Sequence, residues 1–207
     1  FKPTENEPVK LYVNDFDGNG QVEQILSYWV GGKEIPFAGF KDITKQLPPL
    51  KKQFLFARDF AKASLPEIFG KEKLEKSIVR EANELRSMYF ENTGGLKFTA
   101  HPLPAVLQFS PLAAAQISDL DGDGKQEVIL AGNFFDCAVE MGRYDANFGN
   151  VLRIGKAGKM EVFSLGDIRL KGQVRRIEAV RAGGKTVFVF ARNDETAVAI
   201  EPERFQQ

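Results

Sequence analysis

Residues Ile117 to Leu130 read ISDLDGDGKQEVIL, and Val13 to Leu26 read VNDFDGNGQVEQIL. Asp15 aligns with Asp119, Asp17 with Asp121, Asn19 with Asp123, Gln21 with Lys125 and Glu23 with Glu127, at the constant offset that separates residue 15 from residue 119, 104 positions. Oxygen-bearing side chains at positions 1, 3, 5 and 9, with glycines at 4 and 6, suit a loop that curls its own backbone around a hard cation. Glycine reaches the positive φ that such curling needs, and Ca²⁺ takes six to eight oxygens at ~2.3–2.6 Å. Position 7 holds Gln21 in one copy and Lys125 in the other. Side chains so unlike each other fit a position that offers only its backbone carbonyl.

Two other loops use similar letters. An EF-hand requires a glutamate at position 12 and flanking helices, but position 12 is Leu26 or Leu130. The segments that follow, QILSYWV and EVILAGNFF, are β-branched and aromatic, hence strands. The second rival is an Asp-Gly turn between two strands that binds nothing. Two in-register copies, each crowding three or four carboxylates or amides into nine residues, repel strongly without a counter-ion, and this favours the metal reading. Loop two offers Asp119, Asp121, Asp123 and Glu127, whereas loop one has Asn19 in place of one carboxylate. Fewer charges mean weaker binding, so loop two is expected to be the tighter Ca²⁺ site.

The 207 residues are 43% apolar and 27% charged, enough to bury a core. Lys and Arg number 28 against 28 Asp and Glu, which leaves no basic excess for nucleic acid. A single cysteine, Cys137, excludes an internal disulfide and a cysteine-based zinc site; it reads as a small buried apolar side chain. No apolar run approaches the ~18 residues of a membrane span. The chain opens FKPTENEP without an initiator Met and reads as an excised piece whose own start, with any targeting signal, lies outside it.

A recurring strand–loop–strand unit predicts a repeat architecture. Around loop two, strands are expected at about 112–119, 127–135, 150–156 and 159–165, the last two joined by KAGK; together they form one antiparallel sheet of propeller-blade size. Around loop one the same order is expected at 9–15, 23–30, 85–92 and 96–103, with NTGG as the last turn. An insertion at 38–82 separates the second and third of these strands. Within it, PPLKKQFLFARDFAKAS predicts one helix with Leu50, Phe54, Ala57 and Ala61 on a face, and KEKLEKSIVREANEL a second with Leu74, Ile78 and Leu85. The helical insertion is expected to cap the fold. The tail adds three strands turning at AGGK and RNDE. The expected fold is thus mainly β, a partial β-propeller: a blade at 9–104, a blade at 105–166 and a partial last blade at 173–202. Eleven strands cannot close a propeller of at least ~4 blades, so an edge must be covered by an insertion, further blades or another copy.

DFDGNGQVE and DLDGDGKQE resemble the calcium loops of FG-GAP (VCBS) repeats, the blades of integrin α-chain propellers. The wider pattern MYFENTGG, LKFTAHPLP and QFSPLAAAQISDLDGDGKQEVILAGNFF, followed by GRYDANFG, is similar to the C-terminal part of secreted bacterial FG-GAP proteins of ASPIC/UnbV-type architecture, over about Val9 to Pro202. The resemblance implies a β-propeller, Ca²⁺ held by Asp15, Asp17, Asn19 and Glu23 and by Asp119, Asp121, Asp123 and Glu127, and export to periplasm or cell surface. Position 9 is usually Asp in that family and is Glu in both loops here.

The functional expectation is an extracytoplasmic calcium-binding module for adhesion to a glycan or protein, with structural Ca²⁺. One alternative is a carbohydrate-active enzyme using surface carboxylates such as Glu140 with Asp145; the other is a purely structural part of a larger assembly. One histidine, His101, and one cysteine offer little for Ser-His, Cys-His or zinc chemistry. The loop DCAVEMGRYDANFG, with Arg143, Tyr144 and Asp145, is the expected working surface. The competing role for those three is to pin the loop.

Overall fold

The computed structural model describes residues 1–138, 141–165 and 168–202. It is mainly β, and the chain divides into two compact units, Phe1–Leu85 and Arg86–Gln207.

In the first unit, β1 (Val9–Asn14), β2 (Glu23–Val30) and β3 (Lys33–Pro36) follow as hairpins. Five short helices come next: α1 (Phe40–Gln46), α2 (Leu50–Gln53), α3 (Ala57–Lys62), α4 (Leu65–Phe69) and α5 (Lys71–Glu75). The chain then returns as β4 (Ile78–Ala82), antiparallel to β1. The sheet order β3-β2-β1-β4 is that of a Greek key. Alternation along β2 turns Glu23, Ile25 and Ser27 inward. Ile25 joins Tyr12, Phe16, Ile43, Leu47, Phe60 and Ile68 in a core that the helices complete.

This first sheet differs from expectation. Residues 85–92 and 96–103 do not supply its outer strands, which are β3 and β4. The helical reading of KEKLEKSIVREANEL fails beyond Glu75: Ile78 and Leu85 are exposed, and only Leu74 is buried. The open edge of β1 needs pairing for its N–H and C=O groups, and β-branched Ile78 and Val79 fall opposite Val13 and Tyr12. Tertiary pairing thus overrides a local helical preference. The first predicted helix is likewise broken, with Phe54 extended between α2 and α3. Leu50 and Phe60 carry the burial, while Ala57 and Ala61 face solvent.

In the second unit, β5 (Met88–Gly94) and β6 (Lys97–Pro102) form a separate two-stranded hairpin turning at Gly94–Leu96. A 3₁₀ helix, Ala105–Gln108, follows. The sheet β7 (Leu112–Ser118), β8 (Glu127–Gly132), β9 (Asn150–Ile154) and β10 (Met160–Ser164) is the antiparallel meander expected. The tail is the expected three-stranded sheet of β11 (Gln173–Ala182), β12 (Lys185–Asn193) and β13 (Glu195–Ile200). β8 is buried on both faces. Ile129 and Ala131 meet Val174, Ile177, Phe188 and Phe190 of the tail sheet, and Leu130 meets Leu103 and Leu107 on the other side. Stacked antiparallel sheets are therefore present, but no closed propeller or barrel forms among the described residues. No helix among them is long and apolar enough to cross a membrane.

Candidate metal centre

Both acidic loops join the first two strands of a four-stranded sheet, β1 to β2 and β7 to β8, and both fold by one scheme of side-chain-to-backbone hydrogen bonds. In loop one, Gly18 N–H donates to Asp15 Oδ1 at 2.7 Å and Gly20 N–H to Asp15 Oδ2 at 2.8 Å. Asn19 N–H donates to Asp17 Oδ1 at 3.2 Å and Gln21 N–H to Asn19 Oδ1 at 2.7 Å. In loop two, Gly122 and Gly124 donate to the two oxygens of Asp119 at 2.7 and 3.0 Å. Asp123 N–H reaches Asp121 Oδ1 at 3.1 Å, and Lys125 N–H reaches Asp123 Oδ1 at 2.8 Å. The glycines at positions 4 and 6 all have positive φ, 78° and 86° in loop one, 77° and 84° in loop two. This curl brings backbone donors round the position-1 aspartate, and glycine adopts it without the Cβ clash.

The position-9 glutamates turn back into the loop. Glu23 Oε2 accepts Phe16 N–H at 2.8 Å and Glu127 Oε2 accepts Leu120 N–H at 3.0 Å. Each glutamate is buried, Glu127 to 1% exposure and Glu23 to 7%. A buried carboxylate needs a compensating positive charge as well as hydrogen bonds. Asp15, Asp17 and Glu23 present carboxylate oxygens within 4.8 Å of one another, as do Asp119, Asp121 and Glu127. Oxygen-only donors converging at that spacing can hold a metal ion, a hard cation by their chemistry.

The structure thus brings together three of the predicted side chains in each loop. Asp123 stands outside its trio, its carboxylate paired with Lys125 Nζ. Donation from Lys125 holds the Asp123 carboxyl below the ordinary carboxylate range. Asp15 is held low chiefly by the Gly20 N–H, with Gly18 and Asn19 adding to it. Asn19 uses its oxygen within the loop turn, and Gln21 and Lys125 are exposed at position 7.

Arg153, which the sequence reading missed, stands on β9 directly opposite Glu127. Its Nε donates to Glu127 Oε1 at 3.0 Å, and a terminal nitrogen donates to Asp121 Oδ2 at 2.6 Å. The bond to Glu127 is the main cause that raises the Arg153 pKa further. Twenty-six positions separate Glu127 from Arg153. The signal that could have found it is the register of β8 against β9, not any local spacing.

The loop expected to work as a surface lines a cleft of about 630 Å³ with Asn133, Phe135, Asp145, Phe148, Arg169 and Glu195 on its walls. Asn133 organises it from φ 89°, outside the usual range for a side-chain-bearing residue. Its Oδ1 accepts from Ser110 Oγ and Asn147 N–H, and its Nδ2 donates to the carbonyls of Asn147 and Gly172, all at 2.8–2.9 Å. Tyr144 pins the loop through its backbone, exchanging both hydrogen bonds with Phe134. Arg143 lies over the Phe135 ring. Glu140, proposed as a partner for Asp145, lies outside the described residues. His101 stacks on Tyr89 and bonds Glu91 at 3.1 Å on the hairpin, and Cys137 is half-buried rather than buried. No family model, curated protein or solved structure matches this chain.

Proposed function

We propose that the chain is a calcium-binding extracytoplasmic module for adhesion or ligand binding, in which Ca²⁺ is structural. The observation that supports it is the repetition, in two separate sheets, of one hydrogen-bonded loop that aims three carboxylates at a common point. A bound ion replaces carboxylate repulsion by coordination and locks the connection between the first two strands of a sheet. The loops lie at the surface with their aspartates partly exposed, which suits extracellular calcium levels, where modules bind at ~10⁻⁴–10⁻³ M. In that setting Asp15, Asp17 and Glu23 would supply ligands, joined by Asn19 or the Gln21 carbonyl.

The ligand face in this reading is the cleft around Phe135, Asp145, Phe148 and Arg169, whose mixture of rings and charged hydrogen-bonding groups suits a glycan or a polar protein segment. No catalytic step is assigned to it. Thermal unfolding in EDTA, and then with Ca²⁺ or Mg²⁺, tests the calcium assignment: a Ca²⁺-selective rise in melting temperature supports it, and an unchanged melt with every metal overturns it.

A further inference from the structure

In loop two each carboxylate oxygen of the trio has a donor. Asp119 uses both oxygens on Gly122 and Gly124, Asp121 Oδ1 takes Asp123 N–H, and Glu127 Oε2 takes Leu120 N–H. The remaining two, Asp121 Oδ2 and Glu127 Oε1, are bridged by the Arg153 guanidinium. The corresponding oxygens of loop one, Asp17 Oδ2 and Glu23 Oε1, receive no hydrogen bond or ion pair among the described residues. Glu23 is more than nine-tenths buried as a residue, but its Oε1 is not sealed from solvent: among the described residues only Trp29 Nε1 is a fully enclosed polar side-chain atom without a partner.

The topology explains the difference. β9 runs along β8 as far as Glu127, whereas β3 pairs with β2 only from Val30 back to Ser27 and ends at Pro36. The chain bonds once more, Phe37 N–H to the Leu26 carbonyl, and then leaves for the helices, so β3 sets no residue in register with Glu23. The nearest helix contributes Lys73, but its Nζ donates to the Phe16 carbonyl at 2.6 Å and not to a carboxylate.

We propose that Arg153 is a built-in counter-ion that occupies loop two in place of a metal, so that the chain binds one divalent cation, at loop one, where the same two oxygens are left for an ion from solution. This rests on the reading that the loop geometry holds Ca²⁺, and it reverses the order of affinity that the carboxylate count predicts. Loop two has four carboxylates but also two fixed cations, Arg153 and Lys125; loop one has three and no ion pair among the described residues. A planar guanidinium forks across two carboxylates in a fixed geometry and cannot be deprotonated in a protein, so a metal would have to displace a charge tethered at the site.

Calorimetric titration of the whole chain with Ca²⁺ tests this. The expected result is one Ca²⁺ per chain, abolished by Asp15→Ala and unchanged by Asp119→Ala, with a second equivalent appearing in Arg153→Gln. In EDTA the Arg153→Gln chain should melt below the wild type, and excess Ca²⁺ should close most of that gap. Two equivalents in the wild type, or no second equivalent in a folded Arg153→Gln chain, overturns the proposal. Should that variant not fold, the wild-type count and the Asp119→Ala titration still decide. A wild type that binds no Ca²⁺ removes the calcium function, while a single equivalent gained by Arg153→Gln would still place Arg153 as the counter-ion.

Discussion

Four hydrogen bonds converge on the amide of Asn133, and every donor and acceptor of that side chain is satisfied while it is 2% exposed. Truncation strands an N–H and two carbonyls in a buried site, while the Ser110 hydroxyl keeps the Tyr144 carbonyl as its acceptor. Asn133→Ala is therefore expected to lower unfolding stability on the order of 3 kcal/mol, read as a urea midpoint shift. Asn133→Asp keeps the acceptor but sets a buried carboxylate against the carbonyls of Asn147 and Gly172. Its deficit relative to wild type should shrink on acidification, when the neutral acid regains a donor. Spacing alone made the metal-loop residues readable, because a loop that wraps a point must repeat its oxygens at short intervals. Arg153 and Asn133 were not readable in that way: their partners lie 26 and 14 or more positions off, across a strand pair or a loop crossing.

Gly132 ends β8 where the bulged start of β7 passes closest. A Cβ there would fall 1.9 Å from the Pro111 carbonyl oxygen. Since that obstacle is backbone, Gly132→Ala should cost about 2–3 kcal/mol, with the loss appearing as faster amide exchange along β7 and β8. α4 shows a different dependence. The Glu67 carboxylate takes the Ser64 N–H and hydroxyl at 2.6 and 2.7 Å, and the Ser64 N–H, foremost, holds the Glu67 pKa below its usual 4.5. A depressed carboxylate stabilises the fold at pH above its unfolded value and loses that contribution as pH falls through the folded one. The melting temperature should thus drop between pH 5 and pH 3 more in the wild type than in Glu67→Gln, which has no charge to lose, other carboxylates being common to both. At this scale the strands around loop two and in the tail were legible, as alternation with β-branched residues between Gly-rich turns. The helical insertion was legible as a region only. Its helices are too short to show a periodic face, and Ile78–Ala82 became a strand because β1 had an edge to fill.

The first unit has one buried cluster, Tyr12 to Leu74, and the second has two, one around Ile129, Phe188 and Phe190 and one around Leu103, Leu107 and Leu130, on the two faces of β8. Separate cores predict separate cooperativity, so scanning calorimetry should resolve two transitions. Under the single-site proposal, Ca²⁺ should raise only the one that a residues 1–85 fragment reproduces. One transition that moves as a whole would mean the units unfold together.

The crossing from β3 to β4 also governs how the first sheet comes into being. In the β7–β10 meander every neighbour in space is a neighbour in sequence, so the sheet can zip from any hairpin outward. The first sheet cannot: the strand beside β1 leaves the ribosome only after five helices have been made. Until then β1 has a bare edge and a face without its lid. Closing that long loop is an entropic toll levied before any contact across it forms. The nascent N-terminal unit should stay open to chaperones and protease until Ile78–Ala82 emerges, and a chain arrested just short of Ile78 should be digested where one arrested well past Leu85 survives.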